Sequence, residues 1–276
     1  MTPRANLLKA YGSLELEGFI FIPKKPTKVS NLSDNDKINS SLRYLAKYRS
    51  NQIANTLTSK KGLKVQGGPF EGMEFLDQVS EGCYLPKLLG IYESEIHSFI
   101  DYILEKKPDT ILNIGCAEGY YSVGLKRLLP ETEIFSFDTD MNAQNKSKIL
   151  AEKNNVDINI DGLFEIDLLK NFNDKNVFLI CDIEGDEINL FKSEKIHLLN
   201  KVTLCIELHI SNGIHNINLI PDLFKDTHSI EIIWQRGKNG FFVPEEISNL
   251  EHLDILLSSW EWRSYPTPWL IAKPKF

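Results

Sequence analysis

The sequence predicts an α/β protein with a doubly wound, mostly parallel sheet covered by helices on both faces. Three observations carry that expectation. From Glu93 onward, short apolar runs alternate with segments of helical period, the order that builds parallel strands joined by helical crossovers. TILNIGCAEG, residues 110–119, reads as a β-branched strand that breaks into a small-residue turn and then into the helix-like EGYYSVGLKRLL. Two more apolar runs, EIFSFDTD and VFLICDIEGD, end in acids, and ligands of such sheets bind outside the carboxyl ends of the strands.

Taken in chain order, MTPRANLLKAYGSLELEGF lacks a basic start followed by a long apolar core. No apolar run approaches the roughly 20 residues that span a bilayer, so a cytoplasmic protein without a membrane partner is expected. PTKVSNLSDNDK, residues 26–37, is rich in turn formers and predicts an exposed loop. KINSSLRYLAKYRSNQIANTL then places Leu42, Leu45, Ile53 and Leu57 near helical spacing with basic residues between them. GGPFEGMEFL reads as a hairpin, which makes residues 1–75 an extension and 76–276 the main domain. In GIYESEIHSFIDYIL, Ile96, Phe99, Ile100, Ile103 and Leu104 form an inward helical stripe. Strands are expected over 110–115, 133–138, 156–160, 177–182, 202–208, 228–234 and 268–273. MNAQNKSKILAEKN is a helix with Ile149 and Leu150 turned inward, and NLIPDLFKDTHSIEIIW is helix then strand, with His228 at the boundary. GKNGFF is a turn, and Trp260, Trp262, Arg263 and Tyr265 precede the last strand as candidate walls of a pocket.

Composition sets bounds on function. With 42% hydrophobic and 25% charged residues in 276, the chain is an ordinary globular protein. Its net charge of −7 hides an asymmetry: residues 1–75 hold 12 Lys and Arg against 6 Asp and Glu, and the remainder 19 against 32. Lys24, Lys25, Lys28, Arg43, Lys47 and Arg49 could attract an anionic partner, although a solvated face is the commoner fate of such a set. The acidic remainder and the lack of a recognised module argue against nucleic acid. Cys83, Cys116, Cys181 and Cys205 are widely spaced, which fits neither a zinc knuckle nor a disulfide framework. Oligomeric state is not legible.

The glycine turn is the first candidate site. A helix N-terminus reached through glycines offers free N–H groups and a positive dipole end to a carboxylate or phosphate. No Gly-Lys-Ser/Thr follows Gly119, so this is not a phosphate loop. A dinucleotide fingerprint fails as well, because Glu118 stands where a pyrophosphate would approach. Asp138 lies at about the distance expected for the acid that bonds a ribose hydroxyl; alternatively, Asp138 and Asp140 cap the next helix. Asp182 and Glu184, like Glu207 and His209, are two apart and so share a side of an extended chain. Together they could hold magnesium, manganese or iron. Without metal, His209 oriented by Glu207 or Asp182 could act as a general base. A plainer reading leaves Glu184 and Glu187 to complement a helix dipole and His209 as a satisfied histidine.

IGCAEGYYSVGL resembles motif I of class I S-adenosylmethionine-dependent methyltransferases, with Asn113 in place of the usual acid and Ala117 in place of the middle glycine. CDIEGDEINL closely resembles the D-x-E-G-x-E signature of FkbM-type methyltransferases, and LPKLLGIYESEIHSFI, FSFDTD and LCIELHI follow the order seen in such proteins, from about Gly67 to the C-terminus. The resemblance implies a Rossmann-like seven-stranded sheet with a C-terminal antiparallel hairpin, S-adenosylmethionine as cofactor, and methylation of an oxygen on a small molecule or glycan. It implies cofactor contacts from Tyr92, Glu93, Asn113, Gly115, Cys116, Ala117, Glu118, Gly119, Asp138 and Asp182. Acceptor or metal chemistry falls to Asp182, Glu184, Glu207 and His209. The departures at Asn113 and Ala117 leave open a cofactor-binding protein without catalysis, and Glu118 argues against a nucleotide-sugar or nicotinamide enzyme.

Overall fold

A computed structural model describes residues 14–16, 19–21, 33–80, 83–211, 213–238, 241, 243–263 and 265–275. Two short strands, β1 (Leu14–Leu16) and β2 (Phe19–Phe21), pair antiparallel. Helix α1 (Asp34–Lys61) starts inside the segment expected to be a loop, because the Ser33 hydroxyl accepts from Asp36 N at 3.2 Å and caps it. Residues 26–32 of that segment, with Lys24, Lys25 and Lys28, lie outside the described residues. Ile53, Ala54 and Leu57 of α1 join the main core, whereas Leu42, expected inward, is 60% exposed. The segment read as a hairpin, residues 67–76, pairs with the chain just before it through one antiparallel bridge, Lys64 to Glu74. A longer ladder does not form there, since Phe70, Met73 and Phe75 all turn into the core.

Beyond this come α2 (Tyr84–Leu89), a 3-10 turn at Ser94–Ile96, α3 (His97–Lys106), β3 (Thr110–Ile114), α4 (Tyr120–Leu128), β4 (Glu133–Phe137), α5 (Met141–Lys153) and β5 (Asn159–Asp161). The second half holds β6 (Val177–Cys181), α6 (Glu187–Phe191), β7 (Thr203–Glu207), the two-residue strands β8 (Ile210–Ser211) and β9 (Ile214–His215), α7 (Asn216–Phe224), β10 (His228–Ile233), α8 (His252–Ser259) and β11 (Trp269–Pro274). β5 begins later than expected because Asn155 adopts φ 52° and Val156 N still bonds to Ala151 O, which prolongs the end of α5. Ile149 is 47% exposed while Leu150 is buried; neighbours on a helix lie about 100° apart, so only one of them faces the sheet.

Seven strands form the central sheet in the order β10-β11-β7-β6-β3-β4-β5. β5, β4, β3, β6 and β7 run parallel, and β11 enters antiparallel between β7 and β10, giving the C-terminal hairpin. This is a Rossmann-like, doubly wound sheet. Every residue of β3, β6 and β7 is buried, as strands covered on both faces require. The period of two splits them cleanly: Ile111, Phe178 and Ile180 join the core under α1, α3 and α4, while Leu112, Leu179 and Cys181 join the core under α6 and α7. The chain winds from β3 outward to β5, returns to β6 and continues the other way. A crevice therefore opens above the carboxyl ends of β3 and β6.

Candidate functional site

The turn after β3 is shaped by its neighbours. Gly115 has φ 77°, and a Cβ there would lie 1.6 Å from the Asp182 carbonyl oxygen, because the ends of β3 and β6 nearly touch. Gly115→Ala should therefore cost about 2–5 kcal/mol and lower the melting temperature by roughly 10 °C, as followed by circular dichroism; an unchanged midpoint would contradict the packing described. Gly115 N and Cys116 N both donate to Phe137 O, at 2.8 and 3.0 Å. Ala117, at φ 47°, donates its N–H to Asp138 Oδ2 at 2.8 Å, and Asp138 Oδ1 accepts from Asp140 N. Asp140, not Asp138, caps α5 through Asn142 N.

Beside this turn lies a cavity of about 470 Å³ bordered by Tyr92, Gly115, Ala117, Asp138 and Asp182 among the residues expected to hold a cofactor. The others take different positions. Asn113 Nδ2 donates to Ser122 Oγ at 2.8 Å and ties β3 to α4. Gly119 allows α4 to approach α5, since a Cβ there would lie 2.4 Å from Ser147 Oγ. Cys116 is buried, and burial pushes its thiol up to about 12, so it is an unreactive packing residue. Glu118 is buried and accepts from Lys87 Nζ at 2.5 Å and from Ser80 N at 3.0 Å; Lys87 lines the cavity in its place. Glu93 is also buried, accepting from Tyr121 OH at 2.5 Å and from Arg263. Burial, against the pull of Arg263, raises its pKa to about 7.

A second cavity, about 540 Å³, meets the first at Tyr92, Asp182 and Glu184 and extends to Glu207, His209 and Trp262. Three non-glycine residues around it, Glu93, Glu184 and Trp262, hold left-handed backbones at φ 46°, 55° and 64°, the kind of strain that collects at functional sites. Arg263 forms its floor. Its guanidinium donates to Glu93, Glu207, Glu261 and the Thr267 hydroxyl, and Lys238 adds an ion pair to Glu261 at 2.6 Å. Glu207 is thus held by Arg263 and Thr267 and does not orient His209.

Glu187 does. His209 Nδ1 lies 2.8 Å from Glu187 Oε1, while Asn216 Nδ2 donates to Glu187 Oε2 at 2.6 Å and Gly185 N to Oε1. Burial works against the Glu187 charge, but the His209 hydrogen bond wins and its pKa lies below the usual value. Glu187 is therefore an acceptor, which assigns the proton to Nδ1 and leaves Nε2 free to act as a base. That nitrogen makes no hydrogen bond among the described residues and lies 3.6–3.8 Å from oxygens of Asp182, Glu184 and Glu207. Burial disfavours the imidazolium, but the Glu187 bond and the Asp182 charge outweigh it, so the His209 pKa is raised. The last acid of the D-x-E-G-x-E signature was the signal that pointed to Glu187; Asn216 and Lys87 carried none.

The four expected metal ligands meet around His209 Nε2, which has Asp182, Glu184 and Glu207 oxygens within 3.6–3.8 Å, but their donor atoms do not all converge on one another. Among the described residues, the carboxylate and imidazole groups that converge within 4.8 Å are Asp182, Glu187 and His209, and Glu93, Asp182 and Glu207. The first would use the acid that already holds Nδ1, the second is engaged by Arg263, and Glu184, its side chain 71% exposed, belongs to neither. His228 is structural, with Nε2 on Val202 O at 3.0 Å. Of the aromatic group, Trp262 and Tyr265 line the second cavity with Arg263, and Trp260 ends α8. No helix among the described residues is long and apolar enough to cross a membrane.

No protein-family model and no curated protein matches this sequence. Solved structures do resemble it in outline. A candidate O-methyltransferase from Klebsiella pneumoniae aligns with a TM-score of 0.44 and 9% identity over 67% of this chain and 80% of that one. An O-methyltransferase from Bacillus cereus, solved with SAH, gives 0.42 and 13% over 62% and 77%. An rRNA methylase from Streptococcus thermophilus gives 0.42 and 12% over 66% and 97%.

Proposed function

We propose that this chain is an S-adenosylmethionine-dependent methyltransferase acting on a hydroxyl oxygen of a small molecule or glycan. One observation carries the reading: a cavity beside the β3 turn meets a second cavity at Asp182, with the Nε2 of His209 near the junction. The residues fit the cofactor. Asp138 borders the first cavity as a partner for ribose hydroxyls, and Phe137, Leu163, Phe164 and Ile183 offer apolar surface to an adenine ring. When bound, the cofactor supplies an electrophilic methyl group. The chain supplies position and a base. Nε2 of His209 takes the acceptor's proton, Glu187 stabilises the imidazolium, and Asn216 fixes Glu187. Trp262 and Tyr265 give a sugar or similar ring faces to pack on, and alignment of the acceptor with the methyl group carries most of the catalysis. Two tests apply. Asp138→Ala should weaken S-adenosylmethionine binding about tenfold or more with circular dichroism unchanged. Radiolabelled methyl transfer to a panel of hydroxylated acceptors should require His209; label transferred equally well by His209→Ala would remove the base from this reading.

A further inference from the structure

Lys87 is a buried cation that the chemistry above does not use. It is carried by α2 with its side chain 4% exposed, lies 2.5 Å from Glu118 and 4.7 Å from the Tyr92 ring centre, and borders the 470 Å³ cavity near Gly115 and Ala117. Asp182 borders the same cavity; its Oδ1 is buried and makes no hydrogen bond among the described residues. One chamber thus carries a cation and an acid that lacks a donor, both near Tyr92, while Phe137, Leu163 and Phe164 give it an apolar part. A buried ion pair adds little stability over an apolar pair of the same shape, so the Lys87–Glu118 pair is poorly explained by packing.

We infer that Lys87 and Asp182 form a subsite for a zwitterionic α-amino acid group: Lys87 takes the carboxylate and Asp182 the ammonium of the cofactor's methionine end. This rests on the cofactor proposed above and names the residues that distinguish it from other adenosine ligands. Charge-assisted hydrogen bonds of this kind are short, directional and selective.

Calorimetric titration of the full chain with S-adenosylmethionine, its decarboxylated form and methylthioadenosine tests the subsite. The Lys87→Met/Glu118→Gln double variant removes both charges of the pair together. It should bind S-adenosylmethionine about 10- to 100-fold more weakly, with affinity for the decarboxylated form changed less than about threefold. Glu118→Gln alone should keep the wild-type preference. Asp182→Asn should weaken both amines and spare methylthioadenosine. Undiminished binding of S-adenosylmethionine by the double variant would overturn the subsite alone, as would an equal loss for all three ligands, which marks the pair as structural. Wild-type protein that binds none of them would overturn the cofactor reading, and the subsite with it.

Discussion

His209→Ala should lower kcat for methyl transfer about 10²- to 10⁴-fold while cofactor affinity stays within a factor of about three. The split is expected because His209 lines the second cavity and not the one beside the β3 turn. Glu187→Gln should also lower kcat, since an amide no longer favours the proton on Nδ1 or stabilises the imidazolium. The pH profile adds a direction. The base must be unprotonated and its pKa is raised, so activity should rise with pH through a value above the ordinary 6.5 of histidine. In Glu187→Gln that limb should move to lower pH, because a group that raised the pKa is gone. Stability takes the opposite sign: a histidine with a raised folded-state pKa contributes stability that is fully present below about 6.5 and is lost as pH rises through the folded value. A wild-type profile in Glu187→Gln would remove it as the orienting acid.

Arg263→Met should be the most destabilising substitution in the site. It leaves Glu93, Glu207 and Glu261 buried around an apolar side chain. Breaking a buried ion network from one side costs about 3–5 kcal/mol, which for a chain of this size lowers the melting temperature by roughly 10 °C. The loss should depend on pH. Burial already raises the Glu93 pKa to about 7, and burial with the nearby Asp182 charge raises that of Glu207. Acids whose folded-state pKa is raised bind more protons folded than unfolded, so they erode stability as pH rises from the unfolded value near 4.5 toward the folded one. Removing the guanidinium raises both further, and the deficit should be smaller at pH 5.5 than at pH 8.5. Equal deficits at the two values would show that these carboxylates do not carry the effect.

Much of this arrangement was legible in the sequence because it depends on local pattern. Runs such as VFLIC and TLCIE read as strands covered on both faces, and they became β6 and β7. A glycine at position 115 was readable as a turn, although the sequence could not show that the Asp182 carbonyl made it necessary. What escaped was the direction in which polar side chains point. Asn113, Glu118 and Glu93 were each assigned to the cofactor, but each found a partner 9, 31 or 170 residues away, in Ser122, Lys87 and Arg263. Such partners compete with a ligand for the same lone pairs and donors, and only tertiary packing decides between them. The same holds for Glu207 Oε1, which Arg263 and Thr267 occupy.

The measurement that bears most directly on the central claim is a calorimetric titration of the full chain with S-adenosylmethionine, with NAD and a nucleotide sugar titrated alongside. Saturable one-site binding of S-adenosylmethionine, with no heat from the other two, is the predicted result; binding of NAD or the nucleotide sugar in its place would contradict it.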